Sequence, residues 1–234
     1  MDLMDQTPEK NPEKLEKDDH LAFVRKVLGI VAAQLAFTLS FCVLTAYNEA
    51  LGSFLNNLWI LIPLFILLIV LMLTLYCSKT LRRKVPHNYI LLAAITVVEA
   101  LYVGAITATY SPESVLLAIG VTAATVASLF VTAMCTPASQ HLLKFLIIGL
   151  ILSAILQVMF LVSLFFLDSI SNQFMILYAT IGCLASGIFV LVDLVLIMKP
   201  GMMDMEDYIL GALSLYLDIV RLFIYILMLL GKRN

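Results

Sequence analysis

Seven apolar runs of about twenty residues or more dominate the 234-residue chain, at roughly 27–47, 58–76, 89–109, 114–134, 142–167, 174–198 and 208–230. At ~1.5 Å of rise per residue, each can cross the ~30 Å hydrocarbon core of a bilayer as a helix. Few folds survive that constraint. Backbone amides cannot stay unpaired in lipid, so only helices or a closed barrel can span it. A barrel needs segments of about ten residues that alternate apolar and polar, and the chain has none. Only 13% of its residues are charged, against about 25% in a soluble domain. The chain reads as an all-α polytopic membrane protein with one seven-helix transmembrane domain over residues 23–234.

The first 22 residues, MDLMDQTPEKNPEKLEKDDHLA, carry mixed charges and few apolar side chains. Such a composition cannot build a core, so they read as a disordered, solvated tail. No apolar stretch marks a signal peptide, and seven acids without an arginine argue against a mitochondrial presequence. The cysteines (Cys42, Cys77, Cys135, Cys183) and histidines (His20, His87, His141) are scattered. No metal-ligand spacing or disulfide framework emerges from them. Pro63 predicts a kink in the second run. Gly120, Ala124 and Ser128, at four-residue spacing in the fourth run, form a small-residue face suited to close helix packing.

Lysine and arginine alternate between the loops. Arg25 and Lys26 precede the first run, and Lys79, Arg82, Arg83 and Lys84 follow the second. Lys144 and Lys199 lie at the fourth and sixth connections, while the first, third and fifth carry none. By the positive-inside rule the N-terminus is cytosolic. Lys232 and Arg233 resist the pattern. Seven full crossings put them on the far side, whereas a re-entrant last segment would return them.

That last run, YILGALSLYLDIVRLFIYILMLL, carries Asp218 and Arg221 near its middle. A charge at that depth costs at least ~2.5–3.5 kcal/mol. Gly211, Ser214, Asp218, Arg221 and Tyr225 recur at intervals of three and four, so they line one helical face. The stripe of this semi-polar helix must be turned toward protein. Glu99 in the third run and Asp193 in the sixth are the remaining deep charges. By helix rise Asp193 is ~9 Å from its basic-side end, and Glu99 and Asp218 are ~15 Å from theirs. Three carboxylates at similar depth predict one polar cavity. Intramembrane acids mark ion or proton pathways by default. Neighbouring carboxylates at Asp193 and Asp218 would titrate as a unit, which makes the pair a candidate pH sensor. Calcium prefers six to eight oxygens, so the few here fit transient passage better than storage.

These residues carry a resemblance. FVRKVLGIVAAQL (23–35), VEALYVG (98–104) and above all MEDYILGALSLYLDIVRLF (205–223) resemble segments of the Bax-inhibitor/lifeguard membrane proteins. The resemblance covers roughly residue 23 to the C-terminus. It implies a seven-helix fold around an acid-bearing central helix and a pH-sensitive calcium leak in endomembranes such as the endoplasmic reticulum or Golgi. It also implies a cytoprotective, anti-apoptotic role, with calcium as the transported ion and no cofactor. The family's paired aspartates fall on Asp193 and Asp218, and its basic gating partner on Arg82 or Arg83. Two departures stand out: Leu194 follows Asp193 where the family has Thr, and Arg221 stands where it has Asn. A fixed positive charge one turn from Asp218 repels cations. That favours an alternative, a non-conducting membrane scaffold or regulatory subunit in which Arg221 pairs permanently with the acids and the tail recruits membrane-protein partners. An intramembrane hydrolase is a weaker reading, since no GxGD-like segment surrounds either aspartate.

Overall fold

A computed structural model describes residues 12–136, 141–165 and 171–233. Every apolar run forms a helix. In chain order these are α1 (Pro12–Tyr47), α2 (Glu49–Leu55), α3 (Leu58–Cys77), α4 (Lys79–Arg83), α5 (His87–Thr107), α6 (Pro112–Cys135), α7 (His141–Phe165) and α8 (Asn172–Met198). A 3₁₀ turn (Met205–Asp207) leads into α9 (Tyr208–Leu230). Seven of these helices are long and apolar enough to cross a membrane; α2 and α4 are short connectors. Among the described residues there is no strand beyond an isolated bridge between Tyr110 and Arg233.

Polar residues between the apolar runs start the helices. Asn48, Asn57, Ser78, Ser111 and Ser171 each accept a backbone N–H of the first turn that follows. Those amides have no partner within their own helix. Pro63 is accommodated inside α3, which continues unbroken to Cys77.

Three expectations need correction. Residues 12–22, assigned to a disordered tail, are helical and continuous with the first span; residues 1–11 lie outside the described residues. Pro12 suits a helix N-terminus. Tertiary contacts hold the extension, because His20 Nε2 lies 3.1 Å from the Met198 carbonyl and Phe23 is buried. The last segment is no re-entrant hairpin. α9 is one uninterrupted helix with no residue in its interior that would break it. Finally, Gly120, Ala124 and Ser128 point away from the bundle. α6 packs through Ser114, Val115, Ala118, Thr122 and Ala133 instead.

α9 occupies the centre and packs on α8, α1, α6 and α5, with α8 its most extensive partner. α3 leans on α5 from outside, and α7 leans on α8. The bundle has two chemically distinct ends. Met198, Lys199, the acidic turn before α9 and the α4 arginines gather at one. At the other, Lys232 donates its N–H to Ser114 Oγ and accepts the Ser111 N–H, closing the end of α9 on the α5–α6 connection.

Lipid tails are as apolar as the helices, so close contact, rather than escape from water, drives association here. Glycines permit it. A Cβ on Gly182 would collide with the Tyr225 ring, and one on Gly104 with Phe41 at 2.9 Å. Gly120 has open space around it. Gly182→Ala should therefore destabilise the bundle by ~1–3 kcal/mol through overpacking. Gly120→Ala should be neutral, or stabilising by up to ~1 kcal/mol through helix propensity. Thermal unfolding of both variants in detergent checks the contrast.

Candidate functional site

The polar stripe of α9 faces α8, as its spacing predicts. Gly211 approaches Met203 and Ile197, Ser214 and Asp218 meet Asp193, and Tyr225 fills the space over Gly182. Asp193 on α8 and Asp218 on α9 therefore face one another across the largest helix interface, deep within apolar segments. Asp218 is buried and accepts a hydrogen bond from Arg221 Nη1 at 3.1 Å. Asp193 Oδ2 is buried with no hydrogen-bond partner among the described residues. An orphan carboxylate oxygen is costly, because burial removes water and nothing replaces it.

Arg221 departs from expectation. One turn beyond Asp218, its side chain is 59% exposed and turns outward rather than into a sealed network. It borders a cavity of about 150 Å³ with Tyr76, Phe189, Ser214, Leu217 and Asp218. It also lines a larger cleft of about 490 Å³ toward α7. The site thus pairs two carboxylates with one cation that is open on its far side. Among the described residues no third His, Cys, Asp or Glu joins the aspartates.

Glu99 lines neither cavity of this site, although the Arg221 charge acts on its carboxyl. It is buried on α5, near Cys42, Tyr102 and Tyr216. The predicted three-carboxylate cavity is thus two carboxylates on one side of α9 and a third on another. Depth matched; azimuth did not.

Arg82 and Arg83 also sit elsewhere, about 16 Å along the helix axis from Asp218. They clamp the start of α9. Asp207 accepts from Arg82 Nε at 3.1 Å and Arg83 Nε at 2.9 Å, while Arg83 also donates to Glu206 at 2.6 Å and Asp204 at 2.7 Å. These carboxylates, Asp207 foremost, hold the Arg83 guanidinium above its ordinary range. Their partners are the acids before α9, not Asp193 or Asp218. The acids were visible as a helix-start signal, but nothing in the sequence tied them to the arginines 121–125 positions earlier. Tyr76 and the Lys26 ammonium, 3.3 Å over the Tyr208 ring, were also missed.

Asp207 is the hub of the clamp, and its side chain is only 15% exposed. Asp207→Asn should lower stability by ~1–3 kcal/mol, since two guanidinium groups lose their shared acceptor. Glu206→Gln, at a carboxylate 68% exposed, should change it by less than ~1 kcal/mol. Thermal unfolding with and without high salt distinguishes the two.

Comparison with known proteins agrees with this architecture. The family model described as "Inhibitor of apoptosis-promoting Bax1" matches residues 20–234. Human protein lifeguard 3 is 29% identical over 219 residues, covering 91% of this chain and 69% of the relative. Mouse protein lifeguard 4 is 32% identical over 215 residues, covering 92% and 86%. The chain belongs to the Bax-inhibitor family of multi-pass membrane proteins.

Proposed function

We propose that the protein is a pH-sensitive calcium leak of an internal membrane, endoplasmic reticulum or Golgi, with a cytoprotective, anti-apoptotic role. The cytoprotective part rests on the family description and on its lifeguard relatives. The leak rests on one observation. Asp193 Oδ2 is buried without a hydrogen-bond partner among the described residues, and Asp193 faces the Asp218 carboxylate, so a proton or a cation between the two residues would repair the deficit. Coupled carboxylates take up protons as a pair, which ties occupancy to pH. Two oxygen donors suit a passing calcium ion better than a resident one. The basic end of the bundle would face the cytosol, together with the N-terminus.

The second reading, a non-conducting scaffold, draws on Arg221. Its 3.1 Å bond to Asp218 places a fixed positive charge beside the proposed path, and that charge opposes cation entry.

Calcium efflux from liposomes holding the purified protein, scanned from pH 5 to 8, tests both. The leak reading expects flux that varies with pH in wild type and loses that dependence in Asp193→Asn and Asp218→Asn. Identical flux in wild type and both variants at every pH would sink it. Arg221→Gln should raise cation flux if the guanidinium throttles the path. No flux in either protein, with thermal stability falling in Arg221→Gln, is the outcome for a scaffold.

A further inference from the structure

Arg221 lies ~20 Å from the start of α9 and ~13 Å from its end, so its head group cannot snorkel to either surface. A guanidinium carries five N–H donors. Asp218 takes one of them through Nη1, and no other described residue accepts a hydrogen bond from the group. Arg221 lines the 490 Å³ cleft, whose walls come from α3, α7, α8 and α9. On the facing wall Gln157 of α7 is exposed in the middle of an apolar helix and makes no hydrogen bond to a described residue. Ser186 and Tyr225 add hydroxyls, while Phe160 and Phe189 supply aromatic surface. Phe65 of α3 borders the cleft as well, and α3, which packs on α5, forms no substantial interface with α7, which packs on α8.

We propose that this cleft binds a long-chain fatty acid, its carboxylate held by Arg221 and Gln157 and its chain running out between α3 and α7 into the bilayer. The chemistry selects this class. A planar guanidinium fork matches a carboxylate in a bidentate pair, and Phe65, Leu156, Phe160 and Phe189 give an acyl chain apolar surface beside the polar lining. A phospholipid headgroup stays at the membrane surface, far from this depth. A fatty acid can cross hydrocarbon as the neutral acid and so reach the guanidinium at this depth. The site stands whether or not the aspartates conduct, since binding is read without flux.

The test is photo-labelling of the full chain in phosphatidylcholine nanodiscs with a diazirine-bearing palmitate, with labelled peptides mapped by mass spectrometry. The expected result is saturable labelling of α7 and α8 around the cleft, competed by oleate and not by uncharged methyl oleate. Arg221→Gln should cut labelling about tenfold or more. Gln157→Leu, at a position outside the packed core, should cut it several-fold with an unchanged unfolding temperature. If Arg221→Gln does not fold, Gln157→Leu and the methyl oleate comparison decide. Equal competition by methyl oleate, or full labelling of the Gln157→Leu protein, would overturn the proposal. So would loss of labelling in molar sodium chloride at an unchanged unfolding temperature, which would make this an inorganic-anion site.

Discussion

A helix that carries an aspartate and an arginine at mid-depth cannot turn both to lipid without a cost of several kcal/mol. That constraint places α9 at the centre, with its polar stripe against α8 and Asp193. The other helices follow from it. α1, α5 and α6 cover the apolar faces of α9, while α3 and α7 reach the bundle through α5 and α8.

Within that arrangement, packing is secured by means that work in lipid. Water release contributes little between helices already in hydrocarbon, so contact distance and polar pairing matter more. Glycine lets α8 meet Tyr225 and α5 meet Phe41 closely. Buried hydroxyl and amide pairs add direction: Thr38 with Tyr216 at 2.8 Å, Gln34 with Thr96 at 2.8 Å, and Thr45 with Thr107 at 3.1 Å. Two of these join α1 to α5 and one joins it to α9, fixing the rotation of a helix whose apolar surface would otherwise tolerate several.

α9 also links two electrostatic centres. At its start, three acids are held by Arg82 and Arg83 where water is near. At its middle, two carboxylates face one cation in a poorly hydrated site. The first centre can satisfy its charges fully. The second leaves a buried carboxylate oxygen unmatched among the described residues, and unmatched buried polarity is the common mark of a place where something else binds or passes.

The sequence by itself determined the fold class, the seven spans and the need of the last helix for a polar partner inside the protein. Run length, charge depth and helical spacing are properties of the chain in one dimension, and the hydrocarbon core converts them directly into structure. Only the tertiary structure decided azimuth. Glu99 has the depth of Asp218 but lies on another side of α9, because rotation about a helix axis is set by neighbours and not by position along it. Arg82 and Arg83 found Asp204, Glu206 and Asp207 rather than the intramembrane pair, since charges near the ends satisfy one another locally. That Arg221 borders a cleft as well as the aspartates is likewise a matter of neighbours, since α3 and α7 stand beside that side of α9 without closing on it.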